Sequence, residues 1–186
     1  MSRVKPLDPP FAADEQAMFD QIMPAGVAPL LLFRVLARSK RAWSKFLAGS
    51  LLDAGPLPVR EREMVIDRTC ALTGCEYEWG VHVKLFAARA SLSNKELEAL
   101  SSEQPQAAHW SDAERAVIGV VDALHFRATL TDDEFKELRR YYDDDQVLEI
   151  LLLCGFYRTV AYLANGLALP LEPGTPRFPG AATDET

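Results

Sequence analysis

The sequence predicts an all-α protein, and three observations carry that prediction. No run shows the period-two alternation of a half-buried strand, and the β-branched residues are scattered rather than clustered. Apolar residues recur at mixed three- and four-residue spacing, the signature of helices with one buried face. Hydroxyl or carboxylate residues followed three positions later by Glu or Gln stand repeatedly just ahead of apolar stretches, as helix starts require. Residues 1–169 read as a single compact multi-helix domain of about eight helices with its core motif at 57–100, and residues 170–186 as a Pro/Gly-rich tail.

Taken in order, Asp14 is expected to cap a short first helix ending before Pro24. Leu30 to Leu51 reads as one amphipathic helix, with Arg34, Arg38, Lys40, Arg41 and Lys45 interspersed among Leu, Phe, Val, Ala and Trp. Pro56 and Pro58 bracket a turn. Pro58 suits the first turn of a helix running to Leu72, because the N–H it lacks would have had no helical partner there. Thr73-Gly74 interrupts that helix, and a second begins at Cys75. Ser93 with Glu96, Ser111 with Glu114 and Thr131 with Glu134 each fit a capping box, in which hydroxyl and carboxylate satisfy free backbone N–H groups reciprocally. Asp143 with Gln146 is a weaker fourth and opens the apolar segment DQVLEILLLCGFYRTVAYLANGLAL, where Gly155 is a candidate kink. The closing PLEPGTPRFPGAATDET has few apolar anchors and is expected to be extended, either mobile or laid over a neighbouring subunit.

Composition narrows the function. With 186 residues and 48% hydrophobic content the chain can bury a sizeable core. Its net charge of −7, with no concentrated basic face, excludes nucleic acid or an anionic lipid surface as a main partner. The three cysteines form no disulfide framework and the opening MSRVKPLDPP lacks the apolar core of a signal peptide, so a reduced, cytoplasmic setting is expected. The apolar run at Ile150–Cys154 is short and is followed by Arg158 and Asn165, so no membrane span is expected.

Chemistry concentrates in REREMVIDRTCALTGCEYEWGVHVKLFAARA. At about 100° per residue, Cys75, Glu78 and His82 fall within an arc of roughly 60° on one helix face, and Glu63 can reach them from the preceding helix. A thiol just after Gly74 at the start of a helix feels the positive end of the helix dipole, which favours thiolate, while Glu78 one turn on opposes it. Glu78 and His82, four apart, can touch, which orients the imidazole and raises its basicity. Taken singly, Cys75 would read as a small buried hydrophobe and His82 as a core histidine; together they read as a catalytic set with Glu63 and Glu78. Tyr77 and Trp79 read as packing, Glu61 and Glu76 as surface acids, and Tyr157 and Arg158 as possible pocket residues on the last helix. His109 reads as loop and His125 as a helix-end residue, neither with a ligand-spaced partner. Glu-x-x-x-His is not a familiar metal spacing, so neither metal nor other cofactor is expected.

Glu63, eleven residues, Cys75, two residues, Glu78, three residues and His82 together resemble the carboxymuconolactone decarboxylase and alkylhydroperoxidase D superfamily. LPVREREMVIDRTCALTGCEYEWGVHV is similar to the decarboxylase-like branch, and the resemblance extends through WSDAERAVIGVVDALH to FYRTVAYLANGLALPLE. It implies the compact all-α alkylhydroperoxidase D-like fold, a homo-oligomer (trimer or hexamer), and an enzyme acting on a small molecule. The first functional expectation is acid–base chemistry on a small carboxylated or lactone substrate, with His82 as proton shuttle, Glu63 and Glu78 as relay, and Cys75 lining the pocket. The alternative is thiol-dependent hydroperoxide reduction through Cys75; a third is a non-catalytic oligomeric scaffold. The chain departs from the alkylhydroperoxidase pattern where Glu78 takes the place of a second cysteine. Cys70, across the break at Thr73-Gly74, is the nearby thiol, and spacing alone does not meet disulfide geometry.

Overall fold

The computed structural model describes residues 2–103, 105 and 110–180. Among them there is no strand, and nine helices follow in order: α1 Ala13–Phe19, α2 Leu31–Leu36, α3 Lys40–Ala48, α4 Val59–Leu72, α5 Glu76–Phe86, α6 Asn94–Ser101, α7 Asp112–Arg127, α8 Asp132–Leu138 and α9 Asp144–Gly166. The extra helix arises where one amphipathic helix was expected over Leu30–Leu51. Ser39 has extended backbone and its hydroxyl accepts the Ala42 N–H at 3.2 Å, so it opens α3 and ends what precedes it. Asp14 also differs from its expected role: it lies inside α1, whose N-cap is Ala12, and Glu15 reaches back to the Ala12 N–H at 2.9 Å. The other four starts are as read, with reciprocal capping boxes at Ser93, Ser111, Thr131 and Asp143.

Helix α4 is the hub, packed against α5, α6, α7 and α9. It is buried along most of its length although it carries Arg62, Glu63, Asp67 and Arg68. Such burial is tolerable only where the charges are paired. Arg68 forks onto Asp122 of α7 at 2.7 and 3.2 Å and donates to the Leu100 and Ser102 carbonyls at the end of α6. Arg60 similarly joins Glu96 of α6 and Glu114 of α7. These two arginines lock α4 to two neighbours and leave its remaining face to α5 and α9.

Helix α9, Asp144–Gly166, is long and apolar enough to cross a bilayer by length and composition alone, with a mean hydropathy of 1.6 over its apolar window. Half of that window is buried within this fold, against α4, α5 and α7, as befits a central core helix. Gly155 continues the helix.

The tail also takes a different course from the one expected. Its described part, 170–180, lies over the chain's own α5. Glu172 accepts both the Leu31 N–H and the Tyr77 hydroxyl at 2.5 Å, Lys84 donates to the Pro173 carbonyl, and Glu76 accepts from Arg177 Nε and the Phe178 N–H. Phe178 packs on Trp79 with ring centroids 5.1 Å apart. A Cβ on Gly80 would stand 2.7 Å from the Pro176 carbonyl oxygen, so this approach requires glycine. Polar and aromatic partners on α5 thus replace the apolar anchors the tail lacks. Residues 181–186 lie outside the described residues, as does His109.

Candidate functional site

The site begins with how α4 stops. Thr73 caps it, Gly74 turns with φ +61°, and the Cys75 N–H donates to the Cys70 carbonyl at 2.8 Å while the Gly74 N–H donates to that of Ala71 at 3.0 Å. This is the Schellman arrangement, which characteristically brings together the side chains at its first and last positions. Here those side chains are two thiols. Cys75 is the N-cap of α5 rather than a residue of its first turn. Cys70 and Cys75 are both wholly buried, and their side chains lie near enough for each to shift the other's ionisation. Among the described residues all three cysteines are free.

From this turn two stripes run away face to face. On α4, Glu63, Asp67 and Cys70 recur at helical spacing; on α5, Cys75, Glu78 and His82 do so. His82 Nδ1 lies 2.7 Å from Glu63 Oε2 and His82 Nε2 lies 3.4 Å from Glu78 Oε1. The inter-helix partner is therefore the closer one. Arg62 Nε donates to Glu63 Oε1 at 2.9 Å, and its guanidinium lies over the Phe86 ring. The imidazole is walled by Tyr157, edge-on at 5.0 Å, and by Phe86 at 5.2 Å.

Burial would push the His82 pKa down, but the hydrogen bonds and charges of Glu63 and Glu78 outweigh it and raise it to about 10. At neutral pH the ring is an imidazolium between two acids. Asp67 moves the other way in charge: burial, reinforced by the Glu63 carboxylate and only partly offset by His82, raises its pKa well above the usual range. One of its oxygens has no hydrogen-bond partner, nor has Glu78 Oε2. The thiols split. The hydrogen bond from Cys70 lowers the Cys75 pKa, burial opposes this, and the Glu78 N–H adds to the lowering. Cys70 is raised well above the ordinary thiol value by burial and by its neighbour. The proton stays on Cys70.

The structure brings together Glu63, Cys75, Glu78 and His82, and adds Tyr157. Arg158, one residue on, is carried about 100° around α9; it contacts His125 and Tyr162 and is no part of this cluster. It lines, with Thr69, Leu151, Cys154 and Gly155, a separate cavity of about 240 Å³ between α7 and α9. Glu76 is not simply a solvated acid, since it holds Arg177 and Phe178. Asp67 was missed, while Cys70 was named only as the nearby thiol across the break. Asp67 is four residues after Glu63, on the same face, and that spacing was available in the sequence.

Residues 37–123 match the Carboxymuconolactone decarboxylase family. No match was found among curated proteins. Several solved structures share the fold. A peroxidase-related protein from Silicibacter sp. TM1040 has a TM-score of 0.76 at 18% identity, covering 94% of this chain and 93% of its own. An AhpD-core peroxidase-related protein from Ralstonia eutropha JMP134 has a TM-score of 0.70 at 17% identity, covering 92% and 93%. The debrominase Bmp8 has a TM-score of 0.67 at 19% identity, covering 91% and 92%. The chain thus shares its all-helical fold with AhpD-like structures and carries a segment that matches the carboxymuconolactone decarboxylase family.

Proposed function

We propose that this protein is a thiol-dependent oxidoreductase that reduces a hydroperoxide at Cys75. The observation that carries the reading is the thiol pair at the α4–α5 turn, in which Cys70 donates to Cys75 and favours its thiolate. The Cys75 thiol passes its proton to the unpartnered Oε2 of Glu78, one turn on. The thiolate attacks one oxygen of ROOH, the S–O bond forms as the O–O bond breaks, and RO⁻ leaves with the proton held at Glu78. Cys75 becomes a sulfenic acid and ROOH becomes ROH. The His82 imidazolium, fixed by Glu63, supports the carboxylate end of this path. Two relatives in fold are peroxidase-related by name.

Acid–base chemistry on a carboxylated or lactone substrate draws less support from the same geometry. His82 is already protonated at neutral pH and so is a poor general base. Both cations of the cluster, Arg62 and His82, already sit beside carboxylates of the protein. The test is peroxide consumption supported by an external dithiol: Cys75→Ser should abolish it, and consumption that persists in that variant overturns the reading. We also propose a homo-oligomer, supported by Leu148, Leu152 and Tyr162 exposed on α9 and Phe126 on α7. Light scattering at micromolar concentration should return a trimer or hexamer, and a monomeric mass contradicts it.

A further inference from the structure

We infer that Cys70 is the resolving thiol for Cys75, so that turnover passes through a Cys70–Cys75 disulfide formed across the helix break. The inference rests on the hydroperoxide-reductase reading above. The position that a second cysteine would take one turn after Cys75 is occupied by Glu78, so α5 offers no partner of its own. The chain supplies one from behind instead. The bond from the Cys75 N–H to the Cys70 carbonyl, at 2.8 Å, folds the backbone so that residues five apart come together. Gly74, at φ +61°, permits the turn, and no atom crowds it within 4 Å. The two side chains are near enough for each to shift the other's ionisation, and both are buried. Enclosure matters because a sulfenic acid surrounded by protein meets a neighbouring thiol sooner than a second peroxide.

The step balances as follows. Cys70–SH attacks the sulfur of Cys75–SOH, the S–O bond breaks, the S–S bond forms, and the hydroxyl departs as water carrying the Cys70 proton. An external dithiol then reduces the disulfide by exchange, returning two electrons and two protons and leaving oxidised as its own disulfide.

The sequence provides a direct readout. Cleavage after Arg68 and Lys84 releases both thiols in one peptide, TCALTGCEYEWGVHVK, free of Cys154. The full chain is treated with one equivalent of tert-butyl hydroperoxide, blocked with an alkylating agent, digested without reductant and weighed. The expected product is this peptide two hydrogens lighter and unalkylated. In Cys70→Ser and Cys70→Ala, Cys75 should instead be trapped by dimedone as a sulfenic acid, and dithiol-supported turnover should fall roughly tenfold or more. Wild-type peptide carrying an oxidised Cys75 beside an alkylated Cys70 overturns the resolving role and leaves peroxide reduction at Cys75 standing. Wild-type peptide with both cysteines alkylated and no peroxide consumed overturns both. Unchanged turnover in the folded Cys70 variants overturns the resolving role alone.

Discussion

Two buried thiols of this core, Cys75 and Cys154, sit in opposite chemical states. Cys154 borders the cavity between α7 and α9, and burial pushes its pKa up to about 12 against partial relief from Thr69 and its own backbone. Cys75 is at least as buried, yet its pKa is lowered. The difference lies in the donors: Cys75 is helped by Cys70 and by the Glu78 N–H at the start of α5, whereas Cys154 lies in the middle of α9. Burial alone makes a cysteine inert, and burial beside oriented donors makes it reactive.

The largest expected effect tests that contrast directly. Cys75→Ser should reduce peroxide turnover on the order of 10³-fold or more, while Cys154→Ser leaves it unchanged. In the same wild-type sample, alkylation of Cys75 should set in at lower pH than that of Cys154, read from the two peptides. Equal alkylation profiles would erase the contrast. A smaller effect is expected from Glu63→Gln, which strips His82 of its closer carboxylate. Its raised pKa means that the wild-type ion pair adds stability fully below the unfolded value of about 6.5, and that this is lost as pH rises through about 10. The variant should be less stable at pH 6 by roughly 3–5 kcal/mol, as for other broken buried pairs. The gap should narrow towards pH 10, measured by urea unfolding. The smallest change is expected from Asp67→Asn. Because the carboxyl is held neutral, the folded state forgoes an ionisation that the unfolded chain enjoys above its ordinary pKa. The variant should match wild type below about pH 4 and be the more stable of the two near pH 8. A loss of stability at pH 8 would show that Asp67 is charged.

Much of this was legible in the sequence, for reasons that differ by element. The four capping boxes were readable because both halves of each lie three residues apart, so no tertiary information enters. Glu78 with His82 was readable on the same ground. Glu63 as the tighter partner of His82 could be placed only through the resemblance, since the approach of α4 to α5 is tertiary. The break at Ser39 was hidden by an apolar pattern that carries across it. The tail was misjudged because its anchors are polar: Glu172, Arg177 and the carbonyl of Pro173 bind α5 without apolar bulk. Cys70 was legible as the thiol near Cys75, but not the geometry that joins them, because Gly74 was read only as an interruption. Read as a Schellman glycine, it would have named both thiols.

The strap of residues 170–178 has a consequence for synthesis. Lys84 and the Pro173 carbonyl it binds are 89 positions apart. Helix α5 therefore leaves the ribosome long before the segment that covers it, and Glu76, Tyr77 and Trp79 wait for their partners until α9 and the strap have followed. The outer face of α5 that carries these three residues is thus the last part of the α4–α5 unit to be covered.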